Sequence, residues 1–113
     1  MPRDPKVYLE DVLEAIRKIR EFTRDMSVAA LSKDAKTLDA VIRNLEVIGE
    51  AVKRLPEGVR NQQPDVEWKK IAGLRDILIH EYFGINVEVV WDVIQHKLSA
   101  LEEAAKKLLG GAS

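Results

Sequence analysis

The sequence of 113 residues contains no cysteine, which excludes disulfide bonds, thiolate catalysis and cysteine-ligated zinc. No stretch approaches the roughly 20 apolar residues of a membrane span. The N-terminal segment MPRDPKVYLED also lacks the apolar core of a secretory signal. The formal net charge of -1 is far from the strong positive charge of a general DNA-coating protein. These absences predict a cytoplasmic protein that does not enter the membrane.

Turn-forming residues are scarce too, with four prolines and six glycines. The stretches between them are long, and no segment alternates with the two-residue period of a β-strand. A composition of 46% hydrophobic and 33% charged residues is typical of a globular protein. The length predicts a single domain covering residues 1–113.

Apolar residues that recur every three or four positions predict four main helices. These helices span about residues 5–26, 33–55, 66–83 and 87–109. Asp4 and Asn86 are predicted N-caps, and Gly110 is the predicted stop of the last helix. Residues 27–32 are predicted to be a short connection, and 56–65 a polar loop with one helical turn. The predicted fold is an all-α, up-and-down bundle of four main helices with a short extra helical turn.

The stretch RDILIHEYFG, residues 75–84, mixes charged and apolar residues within the third predicted helix. Helical geometry of about 100° per residue separates these residues into two sides. The side predicted to face the core carries Ile71, Leu74, Ile77 and Leu78. The opposite side carries Ala72, Asp76, Ile79, His80 and Phe83. The helix is therefore predicted to be apolar on two sides.

Two explanations exist for the second apolar side, which carries Ile79 and Phe83. Another helix or loop of the same chain covers it, or two copies of the chain pack there as a symmetric homodimer. Of the two explanations, we favour the homodimer. It would place Arg75, Asp76 and His80 in or beside a cleft between two copies.

Arg75 and His80 are suited to chemistry at a phosphodiester. Histidine titrates near neutral pH, and arginine is a permanent forked cation that fits phosphate. The two positions are about 7.5 Å apart along the helix axis and diverge by about 140°, so both can flank one groove. Asp76 precedes His80 by four residues, so its carboxylate can orient the imidazole. From residue types alone, an ordinary Arg–His pair on a helix is the commoner explanation.

Other chemistries lack their residue patterns. A di-metal carboxylate bundle needs Glu-x-x-His pairs, but Ile77 and Val93 occupy the position three residues before His80 and His96. P-loop, dinucleotide-binding and serine-nucleophile motifs are absent as well. We therefore predict no metal and no cofactor, and His96 is predicted to be a solvated residue.

The second predicted helix carries a charged stripe with two open explanations. Arg43 and Glu50 lie seven residues apart on one side, with Asp39 and Glu46 nearby. The simpler explanation is an exposed face with salt bridges at three- and four-residue spacing. The other is that Arg43 or Asn44 lines the groove and supports Arg75 and His80.

The stretch RDILIHEY contains Arg-x4-His-x-Tyr, the signature of the HEPN superfamily, and its surroundings resemble the HepT-like ribonuclease toxins. LSKDAKTLDAVIRNLEVIGEAVKRLP is similar to the second helix of that family. WKKIAGLRDILIHEYFGINVEVVWDVI is similar to its third helix and the start of its fourth. The resemblance covers the chain from about residue 7 to about residue 105. The combination of IRNLEVIGEA and GLRDILIHEYFG at this separation makes it specific.

The resemblance implies a homodimeric helical bundle with its active cleft at the dimer interface. It also implies a metal-independent endoribonuclease in which Arg75 and His80 are the catalytic pair. The resemblance leaves the class of RNA substrate open between tRNA and mRNA. The residue after the arginine is often asparagine in the family, whereas this chain has Asp76. Its negative charge would either weaken RNA binding or raise the basicity of His80.

The resemblance implies a protein partner as well, an MntA-like nucleotidyltransferase antitoxin of a type VII toxin–antitoxin system. That partner adds AMP to the tyrosine of the motif, which is Tyr82 here. Tyr82 lies about 20° around the helix from Arg75 and two turns further on. A bulky, negatively charged adenylate there would crowd the groove and occupy Arg75.

A second hypothesis assigns a different class of function. The chain would then be a non-catalytic helical module that docks a nucleotidyltransferase or a nucleotide. The modest net charge and the aspartate at position 76 keep this alternative open. Growth arrest that survives His80→Ala would favour binding over catalysis.

Overall fold

The computed structural model describes residues 4–80 and 86–110, with the side chains of residues 75–80 outside the description. Within these ranges the chain forms seven helices and no strand, as the predicted all-α class requires. The helices are α1 Pro5–Phe22, α2 Val28–Lys33, α3 Ala35–Arg54, α4 Glu57–Arg60, α5 Trp68–His80, α6 Val87–His96 and α7 Leu98–Gly110. None of these described helices is both long and apolar enough to cross a membrane.

Short polar side chains begin several of the helices, because the first backbone N–H groups of a helix have no partner within it. Asp4 accepts a hydrogen bond from the backbone N–H of Lys6 at 2.9 Å, with Pro5 as the first residue of α1. Asn86 accepts one from the N–H of Glu88 at 2.9 Å. Both predicted N-caps are confirmed.

The core is formed by one apolar stripe from each long helix. Ile16 and Ile19 of α1, Val41 and Ile48 of α3, and Leu101 of α7 are almost completely buried. Burying side chains of this size stabilises the fold by roughly 1.5–3 kcal/mol each. The stripes predicted for the first, second and fourth helices are confirmed, with Leu13, Met26, Leu38, Ile42, Val93 and Leu108 partly buried against the core.

The helices pack around a central pair, α1 and α3, which contact each other extensively. Helix α5 packs against α3, and α7 packs against α1. Helix α6 contacts both α7 and the short helix α2. The helix with the Arg-x4-His motif is therefore held by α3.

The first predicted helix ends earlier than expected, and a separate helix follows it. Helix α1 stops at Phe22, where Thr23 is buried and its hydroxyl donates to the Ile19 carbonyl at 2.8 Å. Asp25 then adopts a left-handed backbone with φ of 61°. The segment predicted as a connection forms α2, because Ser27 caps it through the Ala30 N–H at 3.0 Å. The helical turn predicted within residues 56–65 is confirmed as α4.

The fourth predicted helix is divided at Lys97 into α6 and α7. Lys97 keeps a right-handed backbone, but its φ of -112° and ψ of -30° differ from those of an ideal helix. No glycine or proline marks this position, so the sequence pattern predicted one continuous helix. The break lets α6 contact α2 while α7 packs on α1.

Candidate functional site

The motif residues lie near the C-terminal end of α5. Arg75, Asp76, Ile79 and His80 belong to this one continuous helix, although their side chains are outside the description. Tyr82 and Phe83 lie outside the described residues. The structure thus provides the backbone scaffold of the predicted site, and the roles of these six residues remain predictions.

Trp68 fixes the opposite end of α5. Its indole Nε1 donates hydrogen bonds to the backbone carbonyls of Arg60 at 3.0 Å and Gln63 at 2.9 Å. Only 8% of Trp68 is exposed, so the bonds satisfy a polar group that would otherwise be costly to bury. A tryptophan in such a helix is expected to anchor the core or an interface, and the burial of Trp68 confirms the core. The start of α5 is therefore attached to α4 and to the loop after it.

The buried side of α5 differs from the predicted one. Trp68 and Ile71 are buried and Ala72 packs against the core, whereas Leu74 is only partly buried. With Arg75 placed at zero, the three packed residues lie within about 60° on either side of it. Of the predicted core residues, Ile71 is buried as expected and Leu74 only partly, and the side chains of Ile77 and Leu78 lie outside the description. Ala72, predicted on the opposite side, packs against the core, so the prediction holds only in part for the first half of α5.

The side of α5 that carries Leu74 lines an open apolar groove of about 420 Å³. The opposite wall comes from α6 and α7. The apolar lining consists of Val66, Ile71, Leu74, Val93, Ala100 and Leu101. The first half of α5 is thus apolar on two sides, one covered by α3 and the other open among the described residues.

Gly73 contributes to the wall of the same groove. Glycine inside a helix costs about 1 kcal/mol relative to alanine, so Gly49 and Gly73 predict that another helix approaches closely at these positions. In the described part of the chain, however, a Cβ added to Gly73 meets no atom within 4 Å. The explanation by close approach is therefore wrong for Gly73 among these residues. Gly49, the other glycine predicted to allow close approach, is buried in α3.

Glu67 links the two walls at the rim of the groove. Its carboxylate lies 2.7 Å from the Lys70 ammonium and 3.2 Å from the Lys97 ammonium. Hydrogen bonds from Lys70, and then from Lys97, lower the pKa of Glu67 below its ordinary value. The same contact with Glu67 raises the pKa of Lys70. No sequence pattern indicates the Glu67–Lys97 contact, because its partners are thirty residues apart.

The two remaining sequence interpretations concern α3 and α6. Arg43 is exposed and lies 4.0 Å from Glu46, and Glu50 lies 3.0 Å from Arg54, as expected for a salt-bridged surface. The Asn44 side chain donates to the Ala40 carbonyl at 2.8 Å, within its own helix. His96 is exposed, as predicted, and its Nε2 lies 3.8 Å from Asp92.

A metal site would need several carboxylate or imidazole ligands close together. Within residues 4–80 and 86–110, setting aside the side chains of 75–80, no group of three or more such residues has that arrangement. The groove beside α5 is apolar, with charged residues at its rim.

The sequence comparisons identify related proteins over almost the whole chain. A family model described as Ribonuclease HepT-like matches residues 12–108. A candidate RNase of Methanocaldococcus jannaschii is 50% identical, covering 97% of this chain and 95% of the other. A candidate ribonuclease HepT of Thermococcus cleftensis is 44% identical, covering 96% and 98%. A candidate RNase of Caldanaerobacter subterraneus is 41% identical, covering 95% and 96%. No solved structure was found to match.

Proposed function

Because the chain belongs to the HepT-like ribonuclease family, we propose that it is a metal-independent endoribonuclease whose cleft forms between two copies of α5. The observation that carries the proposal is the position of Arg75 and His80 in one continuous helix, with the family's Arg-x4-His-x-Tyr spacing. Relatives named as RNases over nearly their full length support RNA as the substrate. The toxin half of a toxin–antitoxin pair is the biological role we assign to this activity.

The chemistry we propose uses the 2′-hydroxyl of RNA as the nucleophile. His80 accepts the proton of that hydroxyl while the 2′-oxygen bonds to the adjacent phosphorus. Arg75 stabilises the negative charge that builds on the phosphoryl oxygens. The bond from phosphorus to the 5′-oxygen then breaks, and the leaving oxygen takes a proton. The expected products are a 2′,3′-cyclic phosphate and a free 5′-hydroxyl, so DNA should not be cleaved.

A homodimer supplies the geometry that one helix lacks. Arg75 and His80 diverge by about 140° on the same helix, so within one copy they flank a groove but do not point at the same phosphate. Two copies packed through Ile79 and Phe83 would face each other and bring both residue types to one cleft. Asp76, four residues before His80, is assigned to hold the imidazole in position.

Regulation is assigned to Tyr82, with a nucleotidyltransferase antitoxin as the partner. The phenol oxygen attacks the α-phosphate of ATP, pyrophosphate leaves and AMP remains on the tyrosine. The added phosphate would compete with RNA for Arg75. Mass spectrometry of the chain co-expressed with its nucleotidyltransferase should place AMP on Tyr82. Tyr82→Phe should abolish the adduct, whereas Tyr8→Phe, at the only other tyrosine, should retain it.

The catalytic proposal is tested with purified protein and RNA in excess chelator. Wild type should cleave, and His80→Ala and Arg75→Ala should each lower the rate by about 100-fold or more. His96→Ala is the matched control, because His96 is the only other histidine and is exposed. Equal cleavage by wild type and both active-site variants would refute the assignment.

The same variants separate catalysis from docking. A non-catalytic module would show no cleavage above background, and its effect on growth would survive His80→Ala. Loss of both cleavage and growth arrest in His80→Ala, with retention in His96→Ala, supports the nuclease.

A further inference from the structure

A second cleft, of about 490 Å³, lies between α4 and the first turn of α5. Its polar lining is Glu57, Arg60, Asn61, Glu67, Lys69 and Lys70. Three of these six side chains are cationic. The cleft lies at the opposite end of α5 from His80, on the helix that carries the catalytic motif.

Arg60 is the unusual residue of this cleft. It is partly buried, and its Nε is fully enclosed without a hydrogen-bond partner among the described residues. Leaving a buried donor unpaired destabilises the fold, and more so when the donor belongs to a charged group. Folded proteins rarely leave such groups unsatisfied, so an arginine that lines a cleft with its Nε unpaired favours a ligand that accepts hydrogen bonds.

The acidic residues of the cleft do not neutralise Arg60. Glu67 is shared between Lys70 at 2.7 Å and Lys97 at 3.2 Å. Glu57 precedes Arg60 by three residues on α4, yet the described ion pairs do not join the two. Lys69 is exposed and adds a further cation to the lining, beside Arg60 and the Glu67-bound Lys70. A phosphate would satisfy the forked guanidinium and contact the Lys69 ammonium.

The position of Arg60 is fixed relative to the catalytic helix. Its backbone carbonyl accepts the 3.0 Å hydrogen bond from Trp68, the first residue of α5. Arg75 lies seven residues further along that helix, a rise of about 10 Å. A strand of RNA bound at Arg75 and His80 carries further phosphates on either side of the bond that is cut. One of these can reach the cleft at the start of α5.

We infer that Arg60, assisted by Lys69 and Asn61, is a binding subsite for an RNA phosphate away from the scissile bond. The inference rests on the proposed function and extends it to how the substrate is held. Contacts to phosphate position a nucleic acid without reading its sequence. Arg60 should thus contribute to RNA affinity and its salt dependence, and not to the chemical step.

The test measures binding of a mixed-sequence, single-stranded RNA of about 20 nucleotides over a series of salt concentrations. The parent is His80→Ala in the full chain, so that the RNA stays intact. Adding Arg60→Gln should weaken binding several-fold at low salt. It should also reduce the slope of log K against log salt by about 0.7, the value for one phosphate contact on a single strand. Arg60→Lys, which keeps the charge, should retain most of the slope.

Lys107→Gln is the matched control, because Lys107 is exposed on α7, which packs against α1. It removes one positive charge and should leave affinity and slope unchanged. Arg60→Gln should fold normally, since the Trp68 hydrogen bond uses the backbone of Arg60. Thermal unfolding by circular dichroism checks this point.

Cleavage assays with His80 intact separate the two proposals. Arg60→Gln should raise KM several-fold with kcat unchanged. If wild type cleaves RNA while Arg60→Gln alters neither KM nor the salt slope, the subsite is refuted and the nuclease stands. A fall in kcat at constant KM and slope would also refute it. If wild type neither binds nor cleaves RNA, the nuclease assignment fails, and the subsite with it.

Discussion

Gly73 faces space that the described residues leave open. It lies inside α5 with ordinary helical backbone, and an added Cβ would meet open space among the described residues. We expect Gly73→Ala to raise the free energy of unfolding by about 0.5–1 kcal/mol, because alanine restricts the unfolded chain and favours helix. Chemical denaturation monitored by circular dichroism measures the change.

Gly58→Ala is the matched control for Gly73→Ala, since Gly58 also faces open space but lies in α4, away from the groove. A loss of stability in Gly73→Ala would contradict the expectation. It would mean that another part of the molecule occupies the space beside Gly73, as the sequence first suggested.

The Arg-x4-His-x-Tyr spacing could be found from the sequence because residues on one helix keep their geometry in any fold. Arg60 could not be found in this way. Its significance depends on an unpaired buried nitrogen and on a cleft formed by two helices. Neither leaves a periodic pattern in the sequence.

Among the elements, α2 has a larger role than its six residues suggest. Leu31 is completely buried in the core, although the sequence predicted only a connection there. We expect Leu31→Ala to lower the free energy of unfolding by about 2–5 kcal/mol, because it leaves a cavity between packed helices. Lys33→Ala, at an exposed position of the same helix, is the control and should change stability little. A change below about 1 kcal/mol for Leu31→Ala would show that α2 is not part of the cooperative core.

Most helices could be predicted because each long one carries its own apolar stripe and polar caps. The end of α1 and the break at Lys97 could not, since no proline or glycine marks either position. The side of α5 that is buried could be predicted only in part. A helix with apolar residues on two sides does not specify which side faces α3, and packing around Trp68 decides it.

The pairing of α1 with α7 should depend on pH through Glu102. Arg20 on α1 donates to this carboxylate at 2.6 Å, and that hydrogen bond lowers the pKa of Glu102 below 4.5. A carboxyl with a lowered folded pKa adds stability above its unfolded pKa and loses it as pH falls through the folded value. We expect Glu102→Gln to destabilise the protein near pH 7 by about 0.2–1 kcal/mol, the range for a partly exposed pair.

The difference between wild type and Glu102→Gln should disappear in acid, below the pKa of the folded carboxyl. Thermal unfolding across a pH series measures it. Glu103→Gln is the control, because the neighbouring Glu103 is exposed. A difference that persists unchanged into strong acid would contradict an ionic origin.

At the scale of the whole molecule, the proposed activity requires two copies of the chain. Light scattering at micromolar concentration should give twice the 12.8 kDa mass of one chain. Ile79→Glu and Phe83→Glu should each shift the mass toward a monomer, because a charge would be buried at the interface. Both variants should keep their helical circular dichroism. A strictly monomeric wild type would contradict the homodimer and the cleft that depends on it.

The joint between α2 and α3 consists of a single residue, Asp34, which ends one helix and begins the next. Its carboxylate accepts from the Thr37 N–H at 3.0 Å and the Thr37 hydroxyl at 2.7 Å. A residue added between Asp34 and Ala35 would separate the cap from its helix. Asp34 therefore sets how α2 meets α3, independently of the loops around the site.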